Sequence, residues 1–106
     1  MTWIRDLVKL MSSATASMLG KPPPPALARN EIGGLIVSTA ATYDMGYETA
    51  IVDAEGAYPV ERYAAEAEAL AGHQKWVERA PGLTTVRRLG YGDLIDEEDI
   101  VLQRRT

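Results

Sequence analysis

The sequence predicts an α+β fold: a three- or four-stranded antiparallel β-meander with one helix packed across it, plus an N-terminal amphipathic helix on a polyproline linker. Three observations carry that reading. Residues 35–63 hold three β-compatible runs separated by two tight turns. Residues 64–80 are dominated by Ala, Glu and Leu and close on Pro81-Gly82. Residues 2–19 place apolar side chains at spacings of three and four, and four consecutive prolines follow soon after.

The first element is a helix over 2–19. Thr2 is its N-cap, and Trp3, Leu7, Met11 and Met18 line one stripe that Ile4, Val8 and Leu19 widen. Gly20 stops it. Pro22–Pro25 then favour an extended polyproline rod, rising about 3.1 Å per residue. A lone helix of this length is marginal in water, so its stripe needs a partner. Protein contact suits it better than a membrane surface, because its polar face carries only Arg5 and Lys9 as cations. Residues 27–34 read as a loop broken by Gly33-Gly34.

From Leu35 the pattern alternates. Leu35, Val37, Thr39, Ala41 and Tyr43 share one face of the first strand. Asp44-Met45-Gly46 turns the chain. In the second strand Tyr47, Thr49 and Ile51 alternate with Glu48, Ala50 and Val52. Asp53-Ala54-Glu55-Gly56 is the next turn. The third strand, Ala57 to Tyr63, contains Pro59, which cannot donate to a ladder and marks an edge. In the helix 64–80 the expected inward face is Ala67, Leu70, Ala71, Gln74 and Val77, with His73 at its margin. Residues 83–89 suggest a short extra strand. Beyond Gly90-Tyr91-Gly92 lies a tail that is either a docked extension or another partner-seeking arm; its acidic run, Asp96–Asp99, is expected to be a solvated turn or helix start. The organisation is therefore an arm (1–20), a Pro-rich linker and loop (21–34), a core domain (35–89) and a C-terminal extension (90–106).

Composition narrows the function. The chain has 106 residues, no cysteine, one histidine and a net charge of −4. Disulfides and thiolate metal sites are excluded, and a one-histidine zinc site would need carboxylates for most of its ligands. The acidic balance argues against specific nucleic-acid binding, which needs a basic footprint. No run approaches the roughly 20 apolar residues of a membrane span. No uninterrupted apolar stretch marks a signal peptide.

One trio invites a catalytic reading: Glu48, Tyr63 and His73. A histidine beside a carboxylate can act as a general base. However, no serine or cysteine occupies a strand-to-helix elbow, and Ser38 is mid-strand. The favoured reading is structural. Gly72 lets the helix approach the sheet, and His73 hydrogen-bonds a strand group such as the Glu48 carboxylate or a backbone carbonyl. Gly33-Gly34 precedes a strand and lacks the lysine of a phosphate loop. Asp96–Asp99 lacks the alternating ligands of a calcium loop. No catalytic, cofactor-binding or metal residues are expected.

Residues 37–77 carry Val37-Ser38-Thr39, Tyr47-Glu48-Thr49-Ala50-Ile51-Val52, Arg62-Tyr63, Glu66 to His73 in the order Glu-Ala-Glu-Ala-Leu-Ala-Gly-His, and Trp76-Val77. This order resembles a family of small bacteriophage and prophage proteins with the pattern VST…ETxV…RY…EAEAxAGHxxxV. Many of its members have a Gly/Pro-rich insertion after the first strand; here there is only Tyr43-Asp44-Met45-Gly46. The resemblance implies a phage context and no mechanism. With it, the expected function is a non-enzymatic structural or assembly protein that docks through its terminal extensions to other copies or to virion proteins. Trp3, Leu7, Met11 and Met18 would be the partner-binding face, in the host cytoplasm during assembly or in the virion. The alternative is a small modulator that binds and inhibits a host protein through its acidic surface.

Overall fold

The computed structural model describes residues 26–42 and 46–106. The expected N-terminal helix, its Trp3/Leu7/Met11/Met18 face, the proline rod and the turn at 43–45 lie outside the described residues. Four strands, β1 (Ala26–Ile32), β2 (Leu35–Ala41), β3 (Tyr47–Val52) and β4 (Ala57–Tyr63), form one antiparallel sheet in the order β1-β2-β3-β4. Helix α1 (Glu66–Arg79) lies across it and runs into a single 3₁₀ turn, Ala80–Gly82. A two-stranded ribbon, β5 (Thr85–Arg88) with β6 (Glu98–Val101), completes the fold.

The meander with one helix across it is the architecture expected, but the sheet begins earlier. Residues 27–34, expected to be a loop, supply β1 and a two-residue hairpin turn. Gly33 and Gly34 both have positive φ, +55° and +83°, and Ile32 pairs with Leu35 directly across them. That geometry matches the right-handed twist of paired strands, and glycine adopts it without penalty. β1 escapes pattern reading because it is a mostly exposed edge, Ala-Leu-Ala-Arg-Asn-Glu-Ile, with weak alternation. Its ladder and its turn define it, not an apolar face.

β4 is the other edge of the four-stranded sheet, as Pro59 predicts. The ladder also slips there. Ala50 pairs with Pro59 but Thr49 with Glu61, so Val60 is an extra residue bulged out of register. Tyr58 lies opposite Ile51 on the helix side, so strict alternation would turn Glu61 away from the helix. The bulge reverses the phase. Glu61 and Tyr63 now face α1, and Arg62 faces outward opposite Glu48.

The core lies between sheet and helix. Leu35, Val37 and Ile51 are fully buried there with Val60, Ala80, Val86 and Leu102, and Trp76, Val77 and Leu83 pack against them. Each fully buried aliphatic side chain contributes roughly 2 kcal/mol. Ile36, Val52 and Ala57 form a second, smaller cluster. Alternation places them on the opposite face.

The inward face of α1 differs from the one expected. Ala69, Gly72, His73 and Ala80 are buried, with Trp76 and Val77 partly so; Ala67, Ala71 and Gln74 are exposed, and Leu70 is 45% exposed. Of the expected set only Val77 faces the sheet. The rotation has a steric cause: a Cβ at Gly72 would overlap the ring and hydroxyl of Tyr63. The helix turns its one glycine to the aromatic side chain of Tyr63 on β4.

The C-terminal extension is docked into the fold. Leu102 enters the core, Ala54 N–H donates to Gln103 O at 2.8 Å, and Arg105 N–H donates to Gly34 O at 3.1 Å. The Arg104 guanidinium donates to the carbonyls of Gly33, Ala80 and Leu83 at 2.9, 2.6 and 2.6 Å. The acidic run is neither turn nor helix start along its whole length, since Glu98 and Asp99 open β6.

Candidate functional site

Polar side chains in an otherwise apolar layer mark the place to look for function. Thr39 and Thr49 are directly paired across β2 and β3, face α1, and have no exposed surface. A buried hydroxyl needs a partner, and the two bond each other at 2.6 Å. Thr39 Oγ1 lies 2.7 Å from His73 Nδ1, and His73 Nε2 lies 2.7 Å from Asn30 Oδ1 on β1. At the other end the Tyr63 hydroxyl lies 3.1 Å from Thr49 Oγ1 and 2.8 Å from Glu61 Oε1. Glu61 also accepts from Trp76 Nε1 at 2.9 Å and pairs with Lys75 at 2.7 Å. One row of side chains thus crosses all four strands beneath α1, from Asn30 to Glu61.

The protons in this row can be assigned. Burial pushes the His73 pKa below its ordinary value, so the imidazole is neutral near pH 7. Its Nε2–H donates to the Asn30 oxygen, which leaves Nδ1 to accept from Thr39. Thr39 then accepts from Thr49. Burial alone would raise the Glu61 pKa. Hydrogen bonds from Lys75, Trp76 and Tyr63, with the Lys75 charge, outweigh that and hold it below the usual value. The Tyr63 hydroxyl therefore donates to a carboxylate, the stronger acceptor. Four protons then serve the five contacts, and the one without a proton is Thr49 to Tyr63, the longest of the five at 3.1 Å. Burial first, and then Glu61, push the Tyr63 pKa up to about 12, so the phenol keeps its proton.

The order hydroxyl, imidazole, carboxamide has the connectivity of a hydrolytic triad: Thr39 to His73 to Asn30. Access decides against that use. Thr39 is 0% exposed and His73 5%. A nucleophile needs a substrate carbonyl within about 3.5 Å, and nothing outside the fold can approach this hydroxyl. As the row stands it ties sheet to helix.

Of the residues singled out from sequence, Tyr63 and His73 both belong to this row. Glu48 does not. His73 bonds Thr39 and Asn30, whereas Glu48 points to the opposite face and accepts from Arg62 Nε at 2.9 Å. The alternation of β3 separates Glu48 from Thr49 and explains the difference. Sequence reasoning missed Asn30, Thr39, Thr49, Glu61 and Trp76. A signal was available for the threonines, which interrupt the apolar stripes of Leu35-Val37 and Ile51. None was available for Glu61, whose orientation depends on the bulge.

The sequence has two dibasic pairs, Arg87-Arg88 and Arg104-Arg105, and both are engaged within the chain. Arg87 pairs with Asp99 at 3.0 Å and Arg88 with Glu98 at 3.1 Å. Arg104 binds carbonyls, and Arg105 lies 3.6 Å from Glu31. Among the described residues no group of three or more His, Asp and Glu side chains could hold a metal ion, and no helix is long and apolar enough to cross a membrane. Comparison with protein-family models, curated proteins and solved structures returned no match.

Proposed function

We propose that this chain is a non-enzymatic bacteriophage structural or assembly protein, a small docking module that joins other copies or virion proteins through segments outside its sheet-and-helix core. The observation that carries the non-enzymatic part is the closed row beneath α1. Both imidazole nitrogens and both threonine hydroxyls are committed to partners within the chain, and Thr39 and Thr49 have no exposed surface. The phage context rests on the pattern shared by residues 37–77. Docking is supported by the apolar stripe of residues 2–19 and by a second apolar surface at Tyr91, Leu94 and Ile95, where Leu94 is 84% exposed.

Mass spectrometry of purified particles of the encoding phage tests the reading. Stoichiometric presence in the particle, or in assembly intermediates, supports it. Absence from both, with recovery of a single host protein on the tagged chain, would favour the host-directed modulator instead.

A further inference from the structure

We propose that the tip joining β5 to β6, with Tyr91, Leu94 and Ile95 at its surface, is the receptor for residues 2–19 of a second copy of this chain. The proposal rests on the docking function above and names the partner and the site.

The tip is built, not frayed. Tyr91 N–H donates to Ile95 O at 2.8 Å, and the N–H groups of Leu94 and Ile95 donate to Tyr91 O at 3.1 and 3.3 Å. Arg88 Nη2 donates to Asp96 O at 2.9 Å and anchors the loop to β5. Yet this fixed loop leaves Leu94 84%, Ile95 47% and Tyr91 40% exposed. An ordered apolar surface loses little entropy when a partner covers it.

Charge identifies the occupant. Asp93 and Asp96 flank the patch and have no ion pair among the described residues, because the nearby cations Arg87 and Arg88 are taken up by Asp99, Glu97 and Glu98. Within residues 1–25, Arg5, Lys9 and Lys21 stand against Asp6 alone, a net +2; the chain totals −4, so residues 26–106 carry −6. The 2–19 stripe is therefore apolar with cations beside it, and the tip is apolar with carboxylates beside it.

Placement favours a neighbour over the chain's own tip. The arm joins at Ala26 on β1, one edge of the sheet, and the ribbon packs at β4, the other edge. Three strand spacings separate them, about 14 Å. One tip offers a patch of a few hundred Å², less than a stable interface needs. Reciprocal exchange about a two-fold axis doubles it. The result is a moderate, salt-sensitive dimer.

Sedimentation of the full-length protein over a wide concentration range, at low and high salt, tests this. The wild type should dimerise, less so in high salt. The tip variant Leu94→Ser with Ile95→Ser and the arm variant Leu7→Ser with Met11→Ser should each weaken association at least about tenfold, with unchanged melting temperature. Mixing the two should restore part of it, since an intact arm then meets an intact tip; cis docking predicts no such complementation. Asp93→Lys with Asp96→Lys should weaken association, and adding Arg5→Glu with Lys9→Glu should restore it. Unaltered dimerisation of the tip variants overturns the proposal. If the arm variants alone abolish association or incorporation into particles, the receptor is wrong and the docking function stands. A monomeric wild type whose arm variants still enter particles would remove both.

Discussion

The carboxylate of Asp53 accepts the backbone N–H of Gln103 at 2.7 Å, joining two positions 50 residues apart. Its other oxygen accepts from the N–H groups of Glu55 and Gly56 at 2.8 and 2.9 Å, the turn between β3 and β4. Asp53 is 1% exposed, so every one of these donors loses its partner if the carboxylate is removed. Asp53→Ala should cost about 3 kcal/mol, and Asp53→Asn less, because the amide keeps one acceptor. Urea unfolding checks both. Faster amide exchange at Gln103 and Ala54 in Asp53→Asn would show that the tail is released before the sheet opens.

Gly72→Ala should destabilise. In an exposed helix interior this exchange gains about 1 kcal/mol. Here the new methyl group meets the Tyr63 ring, and the overlap should cost about 1–3 kcal/mol. The sign is the diagnostic. In a Tyr63→Ala background the same substitution should become neutral or stabilising, and denaturant midpoints of the four proteins close the cycle.

Thr39→Val preserves shape but takes the proton donor from His73 Nδ1 and the acceptor from Thr49. The loss should be about 2 kcal/mol. Thr39→Val with Thr49→Val should cost less than the sum of the two single changes, since the second removes a hydroxyl that the first has already orphaned. Nitrogen-15 NMR of the imidazole should show the Nε2–H tautomer in the wild type. The opposite tautomer would reverse the proton order of the whole row.

Stability should fall on both sides of neutrality. His73 has its folded pKa lowered by burial, so the unfolded chain binds the extra proton more readily, and stability declines as pH drops below about 6.5. Glu61 has its folded pKa below the ordinary 4.5; its contribution is present above that value and is lost as pH falls through the folded one. Tyr58 and Tyr63 are both raised to about 12 from 10.0, Tyr58 by burial and then by Asp53. Their contributions hold below pH 10 and disappear as pH rises through 12. Melting temperature against pH should be dome-shaped, and His73→Gln should flatten the step near pH 6.5.

The fold was legible where local chemistry acts alone. Alternation in 35–41 and 47–52 put Leu35, Val37 and Thr39 together with Thr49 and Ile51, and the β2–β3 ladder pairs Thr39 with Thr49 and Val37 with Ile51. Pro59 correctly marked an edge. Legibility failed where a long-range contact sets the outcome. The apolar pattern of α1 suggested Leu70 as a core residue, but the Tyr63–Gly72 contact fixes the rotation and turns Leu70 to solvent. Histidine was recognised as a helix-to-sheet tie, while its partners were not, because Asn30 lies in a strand with almost no apolar signature. Docking of the tail was one of two readings the sequence allowed, and nothing local could choose it, since it depends on Asp53 meeting a segment 50 residues away.

Val60 is the slack in this sheet. It is the one residue of β4 that the ladder does not count, since Pro59 pairs with Ala50 and Glu61 with Thr49 on either side of it. A lost codon at this position would therefore close the ladder without moving its partners: Glu61 and Tyr63 would still face α1, Arg62 would still face Glu48, and only the Val60 side chain would leave the core. Deleting Arg62 instead would bring Tyr63 into its place and turn the phenol away from the helix. Length changes in β4 should be tolerated best at position 60 and poorly at 61–63. A deep insertion–deletion scan of the gene would show this as a single permissive position in an otherwise restrictive strand.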